Sequence, residues 1–156
     1  MHIKRKSPFD TIGIMFDNLC ASQMAYECII QCNEILESGW KQNIALFATD
    51  RYKPCVHPNC SVFNSKDISI YKGPVICTSI STYNELSRGF VCKKFFYIYD
   101  ITEFDRNKLV KDDDIQVVSR SANYLDRINN LGLKCELVVE NFNIRELIKI
   151  CQNPKS

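Results

Sequence analysis

Glycine is scarce in this chain. There are five in 156 residues, and no two lie close together. A nucleotide phosphate bound at a strand-to-helix turn needs glycines there, because only a backbone without Cβ atoms lets the pyrophosphate come near. The turn after the first apolar run, Phe16-Asp-Asn-Leu-Cys-Ala-Ser22, contains none. Dinucleotide binding of that kind is therefore disfavoured, and no Walker-type phosphate loop occurs anywhere. Histidine is as rare: His2 and His57 are the only two, and neither follows an apolar run that reads as a core strand. A Cys–His nucleophile pair would have to take His57 from a long polar loop.

Charge of one sign is missing too. Twenty Lys and Arg stand against eighteen Asp and Glu, a net charge of +2. That balance gives no electrostatic footprint for a nucleic acid or a membrane surface. The basic stretch His2-Ile-Lys-Arg-Lys6 reads as a solvated arm, residues 1–10. No apolar run reaches membrane-spanning length, and Lys-Arg-Lys is not followed by the long apolar segment of a signal peptide. A cytoplasmic location is the expectation.

Cysteine is plentiful: nine, an odd number, scattered through apolar runs and helical faces. That pattern reads as buried free thiols in a reducing compartment. One cluster stands out, Cys55-Val-His57-Pro-Asn-Cys60. It offers three zinc-ligand types, but no second cluster completes a tetrahedral set, so no metal or other cofactor is expected.

Apolar residues make up 46% of the chain, enough for one domain with a real core, assigned to residues 11–152 with a short tail at 153–156. Thr11–Phe16 reads as a buried strand. Met24, Ala25, Cys28, Ile29, Cys32, Ile35 and Leu36 recur at helical spacing, with Asn18 or Ser22 to cap the start and Gly39 to close the end. Asn43–Ala48 is the second strand, which makes a right-handed strand–helix–strand unit. Residues 50–64 read as a loop, and Ile68–Tyr71 as a short edge strand. Val75–Thr78 and Lys94–Tyr99 are further strands, with a short helix from Thr82 to Arg88 between them, signalled by the capping-box spacing of Thr82-Tyr-Asn-Glu85 and ended by Gly89. After a helical turn from Asp105 to Val110 and a solvated charge cluster, Lys111–Asp114, come a strand at Ile115–Val118, a helix through Ile128 capped by Ser119 or Ser121 and ended by Gly132, a strand at Cys135–Val139, and a last helix. Alternation of this kind predicts a three-layer α/β domain around a mostly parallel sheet of about six strands.

Ligands of such sheets bind at the carboxyl ends of the strands. Reading those ends gives Asp17 and Asn18, then Thr49 and Asp50, Thr78 and Ser79, Asp100, and finally Ser119 and Arg120. Each of these residue types is also common where a strand turns into a helix, because it caps. As a set they form a polar rim around a predicted crevice. Asp17 and Asp100 are its candidate acid–base or charge-stabilising pair, and Ser119 and Arg120 its candidate phosphate contacts.

The stretch from Val117 to Leu147 carries a likeness. Val117-Val118-Ser119, a helix, a strand, and then Glu140-Asn141-Phe142-Asn143 resemble the end of the N-terminal, acceptor-side domain of GT-B-fold glycosyltransferases. There a strand ends in Ser, and a later strand leads into an Asn-Gly-x-Asp turn. Asn141 falls on the glycine, and asparagine is the side-chain-bearing residue that best tolerates positive φ. Asn143 falls on the Asp, while Glu140 departs from the family's Asn. Phe96-Tyr-Ile-Tyr-Asp100 is similar to the family's fourth strand, which often ends in His-Asp; Tyr99 stands in place of the His and Asp100 matches. The chain is also similar to short uncharacterised α/β proteins of large tailed phages, a comparison that carries no function and would place it in a host cytoplasm. The glycosyltransferase resemblance implies a Rossmann-like fold and a sugar or sugar-nucleotide ligand touching Tyr99 and the rim. The family holds its donor mainly on a second domain, which the sequence does not contain. The expectation is therefore a ligand- or partner-binding module without full catalysis. The alternatives are a split transferase completed by a donor-domain partner, and a homo-oligomeric interaction protein using Trp40, Phe63, Tyr71 or Phe90.

Overall fold

The computed structural model describes residues 11–20, 22–40, 42–50, 54–87, 93–109 and 114–152. The predicted arm at 1–10, the tail at 153–156, Gly89, Phe90 and residues 111–113 of the charge cluster lie outside them.

Seven strands build one sheet: β1 (Thr11–Asn18), β2 (Asn43–Asp50), β3 (Ser61–Asn64), β4 (Val75–Cys77), β5 (Lys94–Ile98), β6 (Ile115–Ser119) and β7 (Cys135–Val138). Their order is β3-β2-β1-β4-β5-β6-β7, and every neighbouring pair is parallel. The helices are α1 (Gln23–Glu37), α2 (Ile80–Ser87), α3 (Leu125–Asn130) and α4 (Ile144–Gln152). The protein is thus an α/β domain of three-layer, Rossmann-like form.

The two faces of the sheet explain the near-continuous apolar strands, since a strand covered on both sides need not alternate. Ile12, Ile14 and Phe16 of β1 point with Tyr97 of β5 into a core closed by α1 and α4. Met15, Phe96 and Ile98 point the other way, into a core closed by α2 and α3 through Tyr83, Leu86 and Ile128. Ser22 caps α1, its Oγ accepting the Ala25 N–H at 3.1 Å, and Gly39 and Gly132 take φ of 75° and 83° after α1 and α3. Those positions follow the predicted caps.

Three local expectations are corrected. The edge strand is Ser61–Asn64, inside the segment read as a loop, and Ile68–Tyr71 is not a strand: residues Ser65–Ile70 form a 3₁₀ helix capped by Asn64. The reason is visible in exposure. Ile68 is 1% exposed and Ile70 79%, whereas residues two apart on a strand share a face. The second correction is the start of α2, at Ile80 rather than Thr82. Ser79 accepts the Thr82 N–H at 3.1 Å, while the Thr82 hydroxyl accepts the N–H groups of Thr78 and Ser79 at 3.1 and 3.0 Å. This reciprocal pair satisfies one of the helix's first donors, the Thr82 N–H, along with the two N–H groups that precede the helix, and overrides the box three residues later. Third, Asn18 caps no helix; its Oδ1 accepts the Cys20 N–H.

The turn between β7 and α4 carries two residues with side chains at positive φ, Asn141 at 54° and Phe142 at 51°. Gln31 of α1 clamps it, donating to the Asn141 carbonyl at 2.8 Å and accepting the Ile144 N–H at 2.9 Å. Asn141→Ala is expected to lose about 1 kcal/mol, the ordinary penalty of a Cβ in the left-handed region without asparagine's local hydrogen bonding, while Asn141→Gly keeps stability near wild type. Urea titration of the two variants checks this; an Ala variant as stable as the Gly variant contradicts it.

Candidate functional site

The strand order reverses at β1. From β1 the chain moves outward to β2 and β3, then returns to place β4 on the other side. α1 leaves the tip of β1 over one face, and α2 leaves the tip of β4 over the other. The carboxyl ends of these two strands therefore splay apart, which is the crevice position of open α/β sheets. A cavity of about 720 Å³ opens there.

Five of the predicted site residues line it: Asp17, Thr78, Ser79, Tyr99 and Asp100. Asp17 is exposed, and no hydrogen bond among the described residues engages its carboxylate. Asp100 caps the 3₁₀ turn Ile101–Glu103. Its Oδ1 accepts the Thr102 hydroxyl at 2.7 Å and the Thr102 N–H at 2.9 Å. Those two bonds, the hydroxyl's first, hold the Asp100 carboxyl below its ordinary range, so it is ionised at neutral pH with Oδ2 left over for a ligand. Thr78 is a strap across the splay: its hydroxyl donates to the Met15 carbonyl at 2.7 Å. Ser79 is the cap of α2 already described. Both act on structure, as their residue types allow.

Tyr99 is held on three sides. Its hydroxyl donates to Glu27 Oε2 at 2.9 Å, the Arg120 guanidinium lies 4.1 Å above its ring, and Arg120 Nη1 reaches the Tyr99 carbonyl at 3.4 Å. Burial, and then the Glu27 carboxylate, pushes the phenol up to about 12, so it stays a donor. The remaining candidates lie elsewhere. Ser119 is fully buried, its hydroxyl donating to the Ser121 carbonyl at 2.7 Å. Arg120 is committed to Tyr99 and does not line the cavity. Asn18, paired in register with Asp50 at the ends of β1 and β2, does not line it.

The crevice also gains residues that the strand ends did not signal. Ser22, Gln23 and Met24 arrive with the first turn of α1, and Asn84 with α2. Phe104 and Lys108 come from the 3₁₀ segments after β5, where Asn84 Nδ2 donates to the Lys108 carbonyl at 2.6 Å. Only the helical turn near Asp105 hinted at this wall. The floor is apolar, from Phe96, Ile98 and Phe104, and among the described residues the rim carries Asp17, Asp100 and Lys108.

Neither a family model nor a curated protein nor a solved structure matches the chain. The site must be read from its own chemistry.

A second cavity, of about 610 Å³, lies between α1 and the β7–α4 turn. Gln31, Asn143 and Arg145 on its wall are spent on structure: the clamp on the turn, the cap of α4 through the Glu146 N–H, and a guanidinium 5.0 Å over the Trp40 ring. Cys55, His57 and Cys60 do not converge on one point. The His57 carbonyl is bound by Asn33, Cys60 packs against the core beneath α1, and no group of three His, Cys, Asp or Glu among the described residues is placed to hold a metal ion. No helix of the described residues is long and apolar enough to cross a membrane.

Proposed function

We propose that the chain is a ligand-binding module of glycosyltransferase-like type, which takes a saccharide-like, hydroxyl-rich ligand in the switch-point crevice. The observation that carries this reading is that Asp17 and Asp100 line one cavity above an aromatic and aliphatic floor. Ionised carboxylates accept hydroxyl pairs in charge-assisted hydrogen bonds, and the C–H face of a sugar packs on apolar and aromatic surface. Among the described lining residues, the Asp17 and Asp100 carboxylates against Lys108 disfavour a ligand dominated by phosphate. The same balance argues against autonomous transfer to or from a sugar nucleotide, because a leaving diphosphate needs preorganised positive charge. The carboxylate pair also suits a base and a charge stabiliser, which keeps the split-transferase reading, with a donor-domain partner, as the alternative. Free thiols at every described cysteine fit a reducing compartment such as a cytoplasm.

Calorimetric titration against mono- and oligosaccharides and sugar nucleotides, with turnover followed in parallel, tests the reading. Binding of a neutral saccharide is expected, weakened about tenfold by Asp17→Asn or Asp100→Asn. The asparagine at 100 keeps the oxygen that caps Thr102, so thermal stability should hold. Turnover by the chain alone would favour the transferase, and binding indifferent to both substitutions would remove the crevice from the argument.

A further inference from the structure

The sheet has two outer strands, and they are finished differently. At β7 the edge is closed. The Asn129 side chain of α3 accepts the Cys135 N–H at 3.2 Å and donates to the Cys135 carbonyl at 3.4 Å, so one amide stands where a further strand would pair. A register break opposite Val117 and Val118 and the exposed, charged Glu136 complete the guard. Covering groups, irregular register and charged side chains are the devices that keep an edge from pairing with another chain.

β3 has none of these. Ser61-Val-Phe-Asn64 carries no charge and no proline, and its register against β2 is unbroken. Among the described residues no hydrogen bond reaches the backbone of Ser61, Val62 or Phe63 from beyond the sheet. Alternate residues of such a strand direct both N–H and C=O outward, where water or another strand must bond them. The side chains follow the backbone. Phe63 is 42% exposed although its ring stacks on Phe47, at 5.5 Å between centroids. Ile70, 79% exposed, ends the 3₁₀ helix that leaves this strand.

We propose that β3 is a homodimer interface, at which the β3 strands of two copies pair antiparallel about a two-fold axis and join two seven-stranded sheets into one. The occupant is argued from symmetry. Two copies of one strand pair antiparallel about an axis perpendicular to the sheet, which keeps each face on its own side. Residues directly opposite then point to the same face, so a residue meets either itself or one two positions away. Centring the pair on Phe63 sets Val62 against Asn64 of the second copy and the two Phe63 rings against each other. That is an aromatic cross-strand pair, on the face where the ring is now exposed. The contact is isologous and closes at two copies, because the other edge of each sheet is blocked by Asn129. An unrelated extended segment would satisfy the backbone but would match Phe63 only by chance. The crevice stays open, since β1 lies two strands in from β3, and the pairing turns the two crevices to opposite edges of the joined sheet.

The test is sedimentation velocity of the full chain over a roughly hundredfold range of concentration, with amide hydrogen exchange followed at both ends of the range. A monomer–dimer equilibrium is expected, with Ser61–Asn64 exchanging more slowly at the higher concentration. Phe63→Lys should weaken the dimer about thirtyfold, the loss typical of a central aromatic anchor. Tyr26→Lys, at a 51% exposed ring on α1, should leave it unchanged. Should Phe63→Lys fail to fold, the concentration dependence of exchange at Ser61–Asn64 in the wild type decides alone. A monomer throughout would overturn the proposal and leave the edge to a strand of another protein. A dimer without slowed exchange at Ser61–Asn64, one that survives Phe63→Lys or is lost in Tyr26→Lys, or association that runs on past two copies would each overturn it too.

Discussion

Tyr97→Phe is expected to cost about 3 kcal/mol of folding stability, from the loss of one oxygen atom. The Tyr97 side chain is fully buried. Its hydroxyl donates to the Val139 carbonyl and accepts the Phe142 N–H at 3.1 Å. Those partners bracket the left-handed pair Asn141 and Phe142, a conformation that needs outside support. Phenylalanine keeps the ring and its edge contact with Phe142, at 4.7 Å between centroids, but leaves a buried N–H and a buried C=O without partners. Each such group costs about 1–3 kcal/mol. For a domain of this size the melting temperature should fall by roughly 6–12 °C. The phenol is pushed well above the ordinary tyrosine range by burial, so the effect should not vary with pH near neutrality. A loss below about 1 kcal/mol in urea would mean that the hydroxyl does not hold the turn.

Gly73→Ala should be comparably severe, at about 2–3 kcal/mol. Gly73 is buried beneath the Tyr71 ring, where its bare Cα makes room. A methyl group there would stand 2.8 Å from the Thr11 carbonyl oxygen and 2.8 Å from the Tyr71 ring carbon that bears the hydroxyl. The Tyr71 hydroxyl donates to that same carbonyl at 2.6 Å, and the next residue's carbonyl accepts the Gly13 N–H at 2.9 Å. Moving the tyrosine would therefore loosen β1 where it meets β4. The midpoint of a urea transition should drop with its slope unchanged; a wild-type midpoint would show that the ring swings aside freely.

The chain's punctuation made much of the fold legible. Gly39, Gly132 and the doubly buried run Phe95–Ile98 each have one dominant local reading, and tertiary packing agrees with it. The misreadings fall where two local signals compete. Ile68 and Ile70 alternate like a strand, yet only one has a core to enter. Thr82-Tyr-Asn-Glu85 has capping spacing, yet Ser79 stands three residues earlier and takes the role. Asn141 was legible as a left-handed position because asparagine signals it; Phe142 was not, because what holds its backbone is tertiary, the Tyr97 hydroxyl on its N–H and its ring packing against Phe16 and Tyr97.

The crevice was half legible for a similar reason. Asp17 and Asp100 follow from the rule that strand tips meet ligands. Ser119 and Arg120 obey the same rule, but one is consumed by its own turn and the other by Tyr99. Lys108 and Phe104 reach the crevice through a connection whose path depends on packing over α2, which no periodicity encodes.

The wiring of the sheet has one more consequence. No strand pairs with its neighbour through a hairpin, so every ladder joins segments far apart along the chain, and β1 must find both β2 and β4. Closing such long loops precedes the reward of contact, which makes assembly slow for a domain of this size. It also makes errors conspicuous: a slip of one residue in β1 would trade Ile12, Ile14 and Phe16 for Gly13 and Met15 in the layer beneath α1, and the two halves of the interior would no longer fit their helices.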